Sequence, residues 1–325
     1  MRPKRALASG CDMRFAFFGT SRFASHILDR LLEAGQGPLL VMTQPDAVSK
    51  RGRELQPSAV ARRADRGGLD LAKPTGLSDP DFVRHLAELE LDCVILAAYG
   101  RIIPARLLEI PRCGWINVHA SLLPRWRGAA PIQRAILAGD AQTGVSIMRM
   151  EVGLDTGPQC AQAPVPLQNK SATQLEDELA RVGATLLLEG LPKIISGEVS
   201  WQEQDEAGAT YAEKIRKHEL DLDPHKTAEM NVRKVRASTD SAPASFRLVS
   251  GDRVLTMRAL AAKRQGRAAC PAPGSAEVRD DHIALFCASE DEYCAITQLQ
   301  PAGRRPLSVA EFSRGFRPEK TLSWR

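Results

Sequence analysis

Two polar side chains, Asn117 and His119, are the first candidates for chemistry in this chain of 325 residues. They lie two positions apart in a strand-like run, residues 114–119, and because a strand alternates its faces both point to the same side. Asp155 follows in residues 153–157, a loop that sets one carboxylate between two glycines. An amide, an imidazole and a carboxylate together suit attack on an acyl carbon, with oxyanion stabilisation and general base catalysis.

The residue types alone also allow other roles for these three side chains. A histidine at the end of a strand is more often structural than catalytic, and polar clusters at strand ends have many uses. A metal bound by His119 and Asp155 would need a third ligand that the sequence does not show, so we predict no metal. No serine or cysteine nucleophile motif of the Gly-x-Ser-x-Gly type accompanies them.

The elements that must position these residues follow from hydrophobic periodicity. Short apolar runs alternate with helical patterns through the first half of the chain, which predicts a mostly parallel sheet in a doubly wound α/β domain. Ligands bind at the carboxyl ends of strands in such sheets, where Asn117 and His119 lie. The predicted strands are residues 14–18, 38–43, 92–98, 114–119 and 145–150.

Several classes of protein are excluded by composition and motif. No apolar run reaches the roughly 18 residues that span a bilayer, so we expect no membrane segment. The 7 cysteines are scattered without metal or redox spacing, which indicates reduced thiols in a cytoplasmic protein. Gly19 follows the first strand, but Ser21 and Ala24 replace the further glycines of a dinucleotide-binding fingerprint.

The last third of the chain differs in both pattern and charge. Beyond about residue 220, short strands separated by turn residues predict a small β-barrel or sandwich. The chain has a net charge of +5, and the whole excess lies in residues 211–325. A neutral N-terminal part followed by a basic C-terminal part indicates a polyanionic partner, most commonly nucleic acid. The alternative is that the basic residues simply form a solvent-exposed surface.

Three segments carry a resemblance to a known family. They are Asn117-Val118-His119, residues 121–133 (Ser-Leu-Leu-Pro-Arg-Trp-Arg-Gly-Ala-Ala-Pro-Ile-Gln) and residues 152–157 (Val-Gly-Leu-Asp-Thr-Gly). Together they closely resemble methionyl-tRNA formyltransferases, and weaker matches extend the resemblance from about Met13 to Phe316. The Asn-x-His motif with a later Asp resembles the motif shared by all transferases that depend on 10-formyltetrahydrofolate.

The resemblance implies a fold, a reaction and a catalytic group. The fold would be a Rossmann-like formyltransferase domain followed by an OB-like β-barrel. The reaction would transfer formyl from 10-formyltetrahydrofolate to the α-amino group of methionine on initiator tRNA. Asn117 would hold the developing oxyanion, His119 would help to remove the amine proton, and Asp155 would fix His119.

The resemblance also implies binding residues. The folate-binding segment would be Ser121, Leu122, Leu123 and Pro124. The long connection at residues 44–57 would reach the tRNA acceptor stem, and the basic barrel would grip the tRNA. The cations carried over or expected for tRNA binding are Lys50, Arg51, Arg53, Arg233, Lys234, Arg236, Lys263 and Arg264.

Four segments divide the chain on this interpretation. Residues 1–12 are an extension without a family counterpart, residues 13–197 the catalytic domain, residues 198–219 a linker, and residues 220–325 the barrel. We expect a monomer. Residues 235–243 replace a family segment that contains tryptophan, which removes the packing area that this aromatic side chain would supply. The alternatives are a formyltransferase acting on an amino-sugar nucleotide or other small amine, and a non-enzymatic RNA-binding protein.

Overall fold

The computed structural model describes residues 13–48, 54–317 and 321–325, which fall into two compact units. The first unit comprises the residues up to 131, residues 142–166 and residues 176–212. The second comprises residues 132–141, 167–175 and 213–325. The predicted extension 1–12 and the predicted tRNA contacts Lys50, Arg51 and Arg53 lie outside the described residues.

A seven-stranded sheet forms the centre of the first unit, in the order β10-β9-β7-β6-β1-β2-β5. The pairs from β5 to β7 are parallel, whereas β9 and β10 are antiparallel to their neighbours. The predicted mostly parallel α/β sheet is therefore confirmed. The elements up to residue 212 are β1 (Phe15–Gly19), α1 (Arg22–Glu33), β2 (Leu40–Met42), β3 (Ala47–Val48), β4 (Leu55–Gln56), α2 (Ala59–Gly67), β5 (Leu71–Ala72), α3 (Pro80–Glu88), β6 (Cys93–Ala97), α4 (Ala105–Leu108), β7 (Trp115–His119), β8 (Arg127–Gly128), α5 (Pro131–Ala138), β9 (Gln142–Arg149), β10 (Gln159–Pro166), α6 (Ala172–Ser196) and β11 (Tyr211–Ala212).

Strand β7, which carries Asn117 and His119, lies inside this sheet between β6 and β9. Val118 points to the opposite face, where it meets helix α6. A Cβ on Gly183 of that helix would lie 2.8 Å from the Val118 side chain, so glycine lets α6 pack closely on the sheet. Close packing behind β7 holds the strand that presents the two polar side chains.

Helix α6 continues past a proline, a residue that usually kinks or ends a helix. Pro192 lies inside the helix, which continues to Ser196. Buried side chains on both sides of the proline, Leu191 and Ile194, pack into the core. Tertiary packing of this apolar face offsets the hydrogen bond that a proline removes from a helix.

The second unit contains an antiparallel sheet in the order β14-β15-β16-β13-β12-β18, with β17 paired to β16. A bridge between Ser275 and Ser323 joins its two edges, so the sheet is nearly closed. The predicted small β-barrel is confirmed. Its elements are α7 (Ala228–Arg236), β12 (Ser245–Ser250), β13 (Arg253–Gly266), β14 (Ala276–Val278), β15 (Ile283–Phe286), β16 (Glu292–Pro301), β17 (Leu307–Ser308), α8 (Val309–Gly315) and β18 (Leu322–Trp324).

Within the described part of the chain, none of the helices combines the length and the apolar character needed to cross a membrane.

Candidate active site

The end of β7 brings together the three side chains that the sequence singles out. Asn117 and His119 are each 5% exposed. The Asn117 Nδ2 donates to Oδ1 of Asp155 at 3.3 Å, and Nδ1 of His119 lies 3.6 Å from Oδ2 of the same carboxylate. The period of a strand therefore places amide and imidazole on one side, and the loop after β9 brings the carboxylate to both.

The tautomer of His119 follows from its second contact. Nε2 of His119 lies 3.0 Å from the main-chain oxygen of Trp126. A carbonyl oxygen can only accept, so we assign the proton of the neutral ring to Nε2. The basic nitrogen is then Nδ1, which faces Asp155. Trp126 is itself held in a left-handed conformation (φ 64°), with its N–H donating to Oγ1 of Thr210 at 2.9 Å.

Asp155 is held by its surroundings in a conformation that few non-glycine residues adopt. Its φ is 53°, and its Oδ2 accepts a hydrogen bond from the main-chain N–H of Gly128 at 2.9 Å. A Cβ on the following Gly157 would collide with the main-chain oxygen of Arg149, so only glycine fits there. Backbone strain of this kind persists only where neighbouring contacts over-determine the geometry.

Gln204, a side chain that the sequence did not indicate, holds the main chain of the Asp155 loop, and Arg127 in turn holds Gln204. Gln204 is 8% exposed, and its Nε2 donates to the main-chain oxygens of Asp155 at 2.8 Å and Gly157 at 2.7 Å. Its Oε1 accepts from Nε of the fully buried Arg127 at 3.0 Å. Arg127 also donates to both oxygens of Glu206, at 2.7 and 3.0 Å, and this bonding lowers the pKa of Glu206.

Comparison with known proteins decides the family. A family model described as formyl transferase matches residues 13–191, and one described as formyl transferase, C-terminal domain, matches residues 214–317. A methionyl-tRNA formyltransferase of Halorhodospira halophila is 43% identical over 311 residues, which are 94% of this chain and 96% of that protein. The chain belongs to the methionyl-tRNA formyltransferase family.

Other comparisons agree on family and fold. A methionyl-tRNA formyltransferase of Rhizorhabdus wittichii is 44% identical over 310 residues, which are 94% of this chain and 96% of that protein. Among solved structures, HypX from Aquifex aeolicus in complex with tetrahydrofolic acid gives a TM-score of 0.62 at 17% identity, covering 97% of this chain and 51% of that one. An N-formyltransferase from Helicobacter canadensis in complex with folinic acid and dTDP-3-aminofucose gives 0.61 at 15% identity, covering 87% and 99%. At such identities the two structures show the fold alone.

The segment that the resemblance assigns to folate, residues 121–124, is held by hydrogen bonds from neighbouring side chains in this formyltransferase. Oγ of Ser146 donates to the oxygen of Ser121 at 2.8 Å and accepts from the N–H of Leu123 at 3.0 Å. Nε2 of Gln162 donates to the oxygen of Leu123 at 2.7 Å, and the Leu123 side chain is buried. Leu122 and Pro124 are half-buried, so these two side chains present the accessible apolar area of the segment.

Three cations assigned to tRNA in helix α7 of this family member make internal contacts. Arg233 donates to Oε1 of Glu229 at 2.8 Å, Lys234 to the main-chain oxygen of Asp221 at 2.5 Å, and Arg236 to that of Lys170 at 3.0 Å. Burial lowers the pKa of Lys234 and of Arg236. A count of charges could not reveal these acceptors, most of which are main-chain oxygens.

The two cations assigned to tRNA on strand β13 are both exposed. Arg264 pairs with Oε2 of Glu229 at 2.8 Å and with Oε1 of Glu292 at 3.2 Å. Lys263 is exposed on the same strand. Among the residues described by the structure, no group of three or more His, Cys, Asp or Glu side chains is arranged to hold a metal ion.

Proposed function

We propose that this protein transfers the formyl group of 10-formyltetrahydrofolate to the α-amino group of methionine on initiator tRNA. One observation carries the proposal: Nδ1 of His119 and Nδ2 of Asn117 both face the Asp155 carboxylate, at 3.6 and 3.3 Å. A base, an amide donor and an anion at one strand end are what formyl transfer to an amine requires. The names of the relatives at 43% and 44% identity support the choice of substrate.

Each of the three side chains has a distinct role in this reaction. 10-Formyltetrahydrofolate supplies the formyl group. Asn117 bonds Asp155 with one N–H, and its second N–H can donate to the formyl oxygen as that atom gains negative charge. Nδ1 of His119 accepts the proton that the attacking amine loses, and the Asp155 carboxylate stabilises the resulting imidazolium. The imidazolium then returns this proton to the departing nitrogen.

Apolar side chains near the site fit a flat folate ring. Val152 and Leu154 lie in the loop that carries Asp155 and are 80% and 56% exposed. An apolar patch exposed beside a polar cluster can mark a ligand-binding groove. We therefore propose that the folate contacts this loop together with Leu122 and Pro124, while Ser121 and Leu123 shape the segment from within.

The tRNA is proposed to contact both the loop of residues 44–57 and the barrel. Lys50, Arg51 and Arg53 remain proposed contacts on the loop. Lys263 and Arg264, both exposed, are the proposed contacts on the barrel. We assign Arg233, Lys234 and Arg236 to folding of the second unit, because each donates to an acceptor within it. Arg264 pairs with the carboxylates of Glu229 and Glu292, and we propose that it also contacts a phosphate of the tRNA.

A transfer assay tests the function. The protein is incubated with 10-formyltetrahydrofolate and, in separate reactions, with methionyl initiator tRNA, a dTDP-amino sugar or free methionine. We expect formylmethionyl-tRNA as the product. Formylation of the amino sugar without formylation of the tRNA would replace the proposal with the small-amine alternative. We further propose a monomer that acts in the cytoplasm, which size-exclusion chromatography and cell fractionation test.

A further inference from the structure

We propose that Gln204 is a positioning residue for Asp155, an inference that rests on the proposed function. Gln204 belongs to a segment that the sequence predicts only as a linker, yet its side chain is 8% exposed. A primary amide buried to this degree must satisfy both its donor and its acceptor groups. The two ends of this amide reach opposite sides of the candidate active site.

The nitrogen end of Gln204 closes the Asp155 loop. Nε2 donates to the main-chain oxygens of Asp155, at 2.8 Å, and Gly157, at 2.7 Å. These two oxygens bracket Thr156, so one amide group fixes the turn in which Asp155 has a φ of 53°. A left-handed aspartate of this kind is strained and needs such outside contacts to persist.

The oxygen end of Gln204 connects the loop to the segment that holds His119. Oε1 accepts from Nε of Arg127 at 3.0 Å, and Arg127 is fully buried. The residue before Arg127, Trp126, offers its main-chain oxygen to His119, and the residue after it, Gly128, donates its N–H to Asp155. Gln204 therefore links the backbone supports of the base and of the carboxylate.

Only one orientation of the Gln204 amide satisfies all three partners. Two carbonyl oxygens face the nitrogen, and the guanidinium N–H faces the oxygen. The substitution Gln204→Glu keeps the shape of the side chain but sets a carboxylate oxygen against two carbonyl oxygens. We expect this repulsion to release the loop, and a misplacement near 1 Å at a catalytic group costs about 100-fold in rate.

The experiment compares Gln204→Glu and Gln204→Met with the control Gln202→Glu, the same exchange at an exposed position two residues earlier. In the tRNA formylation assay we expect kcat to fall about 10- to 100-fold for both Gln204 variants, with KM values within about twofold of wild type. In an Asp155→Asn background, Gln204→Glu should cause no further loss, because its effect passes through Asp155.

Amide hydrogen exchange supplies a readout independent of activity. We expect faster exchange in residues 153–157 of both Gln204 variants, with the rest of the first unit unchanged. Wild-type kcat and exchange in the variants would overturn the proposal, as would an undiminished loss in the Asp155→Asn background or faster exchange throughout the unit. If wild type fails to formylate methionyl-tRNA, the proposed function fails, whereas the exchange experiment still decides the role of Gln204.

Discussion

The main-chain oxygen of Trp126 lies 3.0 Å from Nε2 of His119, and this contact assigns the proton of the neutral ring to Nε2. With the proton on Nε2, the lone pair of the neutral ring is on Nδ1, 3.6 Å from the Asp155 carboxylate. Asp155 thus faces the nitrogen that, in the proposed reaction, gains the proton. In the proposed mechanism the carboxylate stabilises the imidazolium, and the Trp126 carbonyl orients the ring.

The first prediction concerns this base. His119→Gln retains a donor for the Trp126 oxygen but has no group that accepts a proton near neutral pH. We expect kcat for tRNA formylation to fall by about 10²- to 10⁴-fold, the usual contribution of general acid–base catalysis. Circular dichroism should show an unchanged fold. His85→Gln, on the exposed side of helix α3, is the control. A wild-type rate for His119→Gln would remove His119 from the mechanism.

The second prediction concerns Asp155. Asparagine tolerates a left-handed φ better than most residues and keeps one oxygen for the Gly128 N–H, so Asp155→Asn should fold normally. It cannot stabilise an imidazolium at His119. We expect turnover to fall by about 10²- to 10³-fold, as when another electrostatic group is removed from an active site. The melting temperature and single-turnover rate are measured together, and a near-normal rate would show that Asp155 is not catalytic.

The third prediction separates folding from tRNA binding among the cations. Arg236 donates to the main-chain oxygens of Lys170 and Gln168 within the second unit. Arg236→Gln should therefore lower the free energy of unfolding by about 0.5–1.5 kcal/mol, since it removes two hydrogen bonds whose acceptors are partly exposed. Its affinity for tRNA at a temperature where it is folded should stay close to wild type.

Lys263→Gln is the matched change at an exposed position, with the opposite expectation. Its stability should equal that of wild type within about 0.5 kcal/mol. Its affinity for tRNA should fall, and the slope of log affinity against log salt should decrease by about one, because one fewer phosphate contact releases a counterion. Stronger loss of tRNA binding in Arg236→Gln than in Lys263→Gln would restore helix α7 as the tRNA contact.

Sequence reasoning predicted what depends on local pattern and missed what depends on distant partners. The period of strand β7 was enough to place Asn117 and His119 on one side, and the alternation of strands and helices predicted the sheet. Gln204 and Arg127 have their partners 49 and 77 positions away along the chain, which no local pattern reveals. The charges of helix α7 were counted correctly, but their main-chain acceptors are visible only in the folded chain.

The last prediction concerns Glu176, whose Oε1 accepts a hydrogen bond from the N–H of Phe23 at 2.9 Å, near the start of helix α1. Burial raises the pKa of this carboxyl, and the Phe23 hydrogen bond opposes the rise only in part. The folded protein therefore binds the proton of Glu176 more readily than the unfolded chain does. The stability that this proton contributes is present at low pH and is lost as pH rises through the interval between the two pKa values.

Glu176→Gln carries the neutral form at every pH and keeps an oxygen for the Phe23 N–H. We expect the variant to gain stability relative to wild type as pH increases from about 4 to about 7, measured by urea denaturation at each pH. Glu189→Gln, at an exposed position of the same helix α6, is the control and should follow wild type throughout. A difference that shrinks as pH rises would mean that the Phe23 hydrogen bond to the carboxylate outweighs its burial.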